Sequence, residues 1–127
     1  MSDFVLDASA LLALLNDENG ADLVQSLLPV SAISVVNLAE VVARLSLLGM
    51  PQDQIRESLA YLGLEPVPFD EEEAFQAGCL AIRTHPLCLS LGDRACLALA
   101  LNTGAAAVTA DCTWSSLDLE VPIKLIR

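Results

Sequence analysis

The sequence predicts a three-layer α/β domain, with a central parallel sheet covered by helices on both faces. Three observations carry this reading. Short apolar runs recur along the chain, at Phe4-Val5-Leu6, Ser31-Ala32-Ile33, Ala107-Val108-Thr109 and Ile123-Lys124-Leu125-Ile126. They alternate with longer amphipathic segments of helical periodicity, the pattern of strands buried under helices. The chain has 127 residues, 54% of them hydrophobic and only 4% aromatic. That suits one domain, residues 1–127, packed mainly by Leu, Ala and Val.

Taken in order, Phe4 to Leu6 reads as a buried strand, and Ala10 to Leu15 as a helix broken near Asn19-Gly20. A second helix runs from Asp22 to Leu28 and stops at Pro29. After the strand at Ser31, Ser34 can cap a helix from Val35 to Leu48, and Gly49 can end it. Pro51 opens a helix to about Leu62, and Glu65-Pro66-Val67-Pro68 is extended. The acidic run Asp70-Glu71-Glu72-Glu73 suits a helix first turn, and this helix is predicted to reach Arg83. A turn at His85-Pro86 precedes a helix from near Gly92 to Asn102-Thr103-Gly104. The strands at Ala107 and Ile123 complete the sheet.

Bulk properties narrow the function. Net charge is −11, which argues against a module that holds nucleic acid by phosphate contacts alone and favours a basic protein partner. Mean hydropathy is +0.57, yet no apolar run approaches the ~20 residues of a membrane span. The N-terminus lacks the basic region of a secretory signal, so a cytoplasmic protein is expected. The surplus apolarity points to a buried interface, with a second copy, a partner chain or both. Cys79, Cys88, Cys96 and Cys112 show no zinc-type spacing and read as reduced thiols, mostly in the core. His85 is the only histidine and sits in a loop, which leaves little room for a zinc site or a histidine-based triad.

Four carboxylates stand where charge is costly. Asp7 and Asp111 each follow a strand, Asp93 opens an apolar helix, and Glu40 lies inside another. In parallel sheets, sites form beyond the carboxyl ends of the strands. Asn37, Glu40 and Arg44 make one polar stripe on their helix. Each acid also has an ordinary reading: a cap for Asp7, an ion pair with Arg44 for Glu40, a helix-start acid beside Arg94 for Asp93, a turn for Asp111. Gathered together, they would repel by about 3 kcal/mol per pair at ~5 Å and an effective dielectric of ~20. Either protonation of some carboxyls or a cation between them removes that cost. An all-oxygen site suits Mg²⁺ or Mn²⁺, and such an ion activates water and neutralises phosphoryl charge. Hydrolysis of a phosphodiester is the implied reaction.

The segments around these acids carry a resemblance. Val5-Leu6-Asp7-Ala8-Ser9-Ala10-Leu11-Leu12 is similar to the opening motif of PIN-domain ribonucleases. Ser34-Val35-Val36-Asn37-Leu38-Ala39-Glu40-Val41, Leu89-Ser90-Leu91-Gly92-Asp93-Arg94-Ala95-Cys96 and Val108-Thr109-Ala110-Asp111-Cys112-Thr113-Trp114 resemble the second, third and fourth. Their order and the chain length look like the VapC-type toxins of type II toxin–antitoxin systems. The resemblance implies a metal-dependent endoribonuclease with Asp7, Glu40, Asp93 and Asp111 as the catalytic and Mg²⁺- or Mn²⁺-binding set. Ser9, Thr109 and Asn37 would support them, and no acidic position departs from the pattern. Asp118 reads as solvated. The resemblance further implies a homodimer, an RNA substrate and a cognate antitoxin that holds the toxin inactive. The first helices and the helix of Glu40 are expected to form an apolar groove for that antitoxin, with Leu14 and Leu45 in it.

Two other functions compete. A PIN domain serving RNA maturation or acting as an interaction module would carry the same motifs. A phosphoacceptor receiver domain could use Asp7, Asp70 and Lys124, but it wants paired acids after the first strand, where this chain has Ala8-Ser9.

Overall fold

The computed structural model describes residues 2–127. Its sheet has five strands: β1 (Phe4–Leu6), β2 (Ser31–Ser34), β3 (Glu65–Val67), β4 (Ala106–Thr109) and β5 (Ile123–Leu125). All neighbours pair in parallel, in the order β3-β2-β1-β4-β5. The helices are α1 (Ala8–Leu15), α2 (Ala21–Leu27), α3 (Val35–Leu47), α4 (Gln52–Tyr61), α5 (Glu71–Cys79), α6 (Ala81–Thr84) and α7 (Leu91–Thr103).

The alternation of side chains along each strand sorts these helices into two layers. In register, Val5 stands beside Ala32 and Ala107, and Leu6 beside Ile33 and Val108. Val5 and Ala107 face a core built with α5, α7 and Trp114. Leu6 and Val108 face Ala10 and Ala13 of α1 and Val24 of α2. Ile33, on that same face, packs with Leu11, Val41 of α3 and Ile55 of α4. The predicted three-layer architecture is therefore observed. The buried face of α7 is rich in small side chains (Ala95, Cys96, Ala98, Ala100), which suits a helix lying close over a sheet surface of Ala and Val.

Local signals set most boundaries. The Ser34 side chain accepts from the Val36 amide at 3.2 Å and starts α3. Gly49, with φ +95°, follows its end, a conformation that only glycine adopts freely. Asp70 caps α5 through the Glu73 amide at 2.9 Å.

The structure departs from the expected pattern at four points. α1 begins at Ala8 rather than Ala10, because Asp7 is its cap. The helix expected to reach Arg83 breaks at Leu80, one residue past α5. The break follows Gly78, the weakest helix former of the segment, and it turns Leu80 into the core. A 3-10 turn at Cys112–Ser116, unforeseen, buries Trp114 completely. The cysteines are not mostly core residues: Cys96 is buried, whereas Cys79, Cys88 and Cys112 are exposed.

Candidate metal centre

β1 and β4 lie side by side at the middle of the sheet, and the segments that leave their carboxyl ends frame the site. Asp7 follows β1 and is almost wholly buried, at 3% exposure. Its Oδ1 accepts from the Ala10 amide at 2.9 Å and the Ser9 hydroxyl at 2.7 Å. Its Oδ2 accepts from the Thr109 hydroxyl at 2.5 Å, across from β4. Ser9 Oγ in turn accepts from the Ala110 amide at 2.9 Å, and Thr109 Oγ1 from the Asp111 amide at 3.1 Å. One hydrogen-bonded lattice thus ties the ends of β1 and β4 together and fixes Asp7 in a single orientation. Ser9 and Thr109 stand where the sequence expects its supporting hydroxyls.

The other two approaches come from α3 and α7, which pack against each other. Asp93 lies in the first turn of α7. Its Oδ2 accepts from the Ser90 amide at 2.9 Å while Ser90 Oγ accepts from the Asp93 amide at 3.2 Å, a reciprocal capping box. The spacing Ser90-x-x-Asp93 is the sequence signature of this motif. Glu40 projects from α3 so that its carboxylate lies over Gly92: a Cβ built on Gly92 would stand 1.6 Å from Glu40 Oε1. Asn37 does not bond Glu40. Its Nδ2 donates instead to the Gly92 carbonyl at 3.0 Å.

The ordinary readings are resolved residue by residue. Asp7 does cap α1, Asp93 does serve the start of α7, and Asp111 does sit at a turn, where its Oδ1 accepts from the Thr113 amide and hydroxyl at 3.0 and 2.8 Å. Neither expected ion pair forms. The salt bridges among the described residues are Arg83–Glu120 and Arg127–Glu18, and Arg94 donates to the Ala77 carbonyl. Asp118 is exposed, and His85 is exposed in a 3-10 turn.

Electrostatics binds three of the acids into one group. Burial raises the Asp7 carboxyl above its ordinary value; the hydrogen bonds from Thr109, Ala10 and Ser9 oppose this, and the Asp93 charge adds to it. Much of the Glu40 side chain is open to solvent, yet burial of its carboxylate raises that group too, helped by Asp93 and then Asp7. Beneath them the fully buried Cys96 thiol is pushed well up, first by burial and then by Asp7, Asp93 and Glu40. Asp111 is joined to this group through Thr109, whose hydroxyl accepts from the Asp111 amide.

The donor chemistry fits a hard divalent cation. Every candidate donor is a carboxylate oxygen, and no Lys or Arg of the described residues pairs with any of the four acids. Among the described residues Glu40 makes no side-chain hydrogen bond, and Asp93 and Asp111 each keep one oxygen unengaged. Among the described residues no three Asp, Glu, His or Cys side chains close into a compact nest. That spacing is compatible with Mg²⁺ or Mn²⁺, which commonly retain waters between themselves and some of their carboxylates.

A parallel α/β fold with acids gathered at the carboxyl edge of its central strands defines a class of acidic-site α/β domains. Within it the assignment is specific: the chain belongs to the PIN domain family, whose sequence model matches residues 4–118. Comparison with curated proteins finds no match. Several solved structures share the fold. DNA-bound VapBC from Salmonella typhimurium aligns with a TM-score of 0.78 and 16% identity over 100% of both chains. A toxin–antitoxin complex from Klebsiella pneumoniae gives 0.73 and 18%, covering 97% of each chain. VapBC2 from Rickettsia felis, bound to a promoter DNA fragment, gives 0.73 and 18%, over 96% of this chain and 97% of that one.

Proposed function

We propose that this protein is the toxin of a toxin–antitoxin pair, a one-domain Mg²⁺- or Mn²⁺-dependent endoribonuclease. The reading is supported by the mutual repulsion of the Asp7, Glu40 and Asp93 charges, which come from three separate elements, and by the absence among the described residues of a Lys or Arg paired with them. Such an arrangement works against folding unless a cation is part of the working protein. Asp7, Glu40, Asp93 and Asp111 would hold the ion, which when bound would supply Lewis-acid activation of water and of the phosphoryl group. Ser9 and Thr109 hold Asp7 in one rotamer, so the site needs little reorganisation to receive it.

The partners follow the same logic. The solved structures of this fold include a toxin–antitoxin complex and DNA-bound VapBC, and this chain is strongly acidic and offers an apolar groove of about 290 Å³. Leu11, Ile33, Leu38, Val42, Ile55 and Leu59 line it, between α1, α3 and α4. We assign it to a cognate antitoxin with a basic, amphipathic tail. Leu14 and Leu45 do not line this groove; Leu45 instead lines a second cavity with Leu15, Leu48 and Met50. Exposed apolar side chains elsewhere, Phe75 and Ile82 among them, suit a homodimer. Among the described residues no helix is long and apolar enough to cross a membrane, and we place the protein in the cytoplasm with its RNA substrate.

The test is cleavage of a mixed cellular RNA pool by protein freed of antitoxin, in Mg²⁺, in Mn²⁺ and in chelator. Discrete fragments that need the metal support the reading. Absence of cleavage together with absence of a Mn²⁺-induced rise in melting temperature would leave a PIN-type interaction module as the better account.

A further inference from the structure

Gly92 is buried on the first turn of α7, and the space beside its Cα belongs to Glu40: the carbon and both oxygens of that carboxylate lie 2.7, 1.6 and 3.2 Å from where a Cβ would stand. Backbone conformation does not explain this glycine. It sits inside a helix, where alanine is favoured by about 1 kcal/mol. Asn37, one turn before Glu40 on α3, is 1% exposed and binds the Gly92 carbonyl at 3.0 Å. Its own Oδ1 finds no partner among the described residues, and a buried unpaired acceptor costs about 1–3 kcal/mol. Two residues are therefore retained at positions where folding alone favours others, and both act on the same contact between α3 and α7.

We propose that Asn37 and Gly92 are a positioning pair that seats the Glu40 carboxylate on the first turn of α7, beside Asp93. Asn37 fixes how α3 meets the Gly92 backbone. Gly92 leaves the room that the carboxylate fills. The significance for catalysis rests on the nuclease reading above; the seat itself does not. The atom a larger residue would meet is the far end of a flexible side chain, so Gly92→Ala displaces Glu40 rather than unfolding α7.

The experiment uses the full chain as wild type, Gly92→Ala, Glu40→Gln and the double variant. Metal-free melts, Mn²⁺ calorimetry and a metal-free crystal structure of Gly92→Ala are compared. Gly92→Ala is expected to melt no lower than wild type and to bind Mn²⁺ at least about tenfold more weakly, as when a ligand loses its orienting neighbours. It should add nothing to Glu40→Gln. Wild-type affinity in Gly92→Ala, or an equal loss in the Glu40→Gln background, overturns the proposal. Should Gly92→Ala melt well below wild type, adding Glu40→Asp, one methylene shorter, must recover stability; failure to recover overturns it. If wild type binds no Mn²⁺, the nuclease reading falls and the crystal structure decides: a displaced Glu40 upholds the seat, an unmoved one removes it.

Discussion

Asp93 holds two positions at once, as an acid of the site and as half of the capping box that starts α7. The Asp93→Asn variant separates them, because an amide oxygen can still accept from the Ser90 amide while the charge is gone. Metal-dependent RNA cleavage is expected to vanish, with metal-free melting equal to wild type or higher. A marked fall in metal-free stability with cleavage retained would make Asp93 a structural residue alone. The four acids are legible in the sequence because each stands at an element end or on an apolar helix, where an unpaired charge needs a reason. Ser9 and Thr109 are legible as hydroxyls flanking those acids. Gly92 is not, because the need for a missing side chain there arises from a carboxylate on a different helix. Asn37 is found by its stripe with Glu40, but its true partner, a backbone carbonyl, has no sequence signature.

At the scale of elements, caps explain what the sequence reveals. Ser34 and Gly49 bracket α3 within a residue or two of expectation, since caps act through neighbouring backbone. The break at Leu80 and the turn at Trp114 answer to core packing, which is nonlocal. Trp114 is buried with no partner for its Nε1 among the described residues, so packing holds its indole. Trp114→Ala is expected to cost about 3–5 kcal/mol, read as a shift in urea midpoint. The apolar groove gives a second element-scale test. Val42→Lys changes a half-buried wall residue, so it should abolish co-purification with the proposed antitoxin while the melting temperature stays near wild type. Co-purification at wild-type yield would place the partner elsewhere.

For the molecule as a whole, the layers are legible but the strand order is not, because which strands neighbour one another depends on how the helices cross the sheet. Nor does composition reveal that three cysteines lie on the surface. The global consequence of the site is a dependence on pH. Asp7 and Glu40 have carboxyls raised from 3.8 and 4.5 in the folded protein, by burial first. A raised group contributes stability that is complete below its unfolded value and is lost as pH rises through the folded one. Metal-free protein should therefore lose this contribution as pH climbs through and above the ordinary carboxylate range. Asp7→Asn should lose less over the same interval, in a pH series of metal-free melts. Parallel curves for the two proteins would show that Asp7 carries no such cost.

The bond from Thr109 to Asp7 joins residues 102 positions apart. On a ribosome adding about 5–20 residues per second, Asp7 is made about 5–20 seconds before the strand that completes its surroundings. A nascent chain therefore carries Asp7 and Glu40 well before it carries a finished site. During that interval the apolar walls from α1, α3 and α4 have already been synthesised, so on the proposed toxin reading an antitoxin tail has its groove before the acidic site is complete.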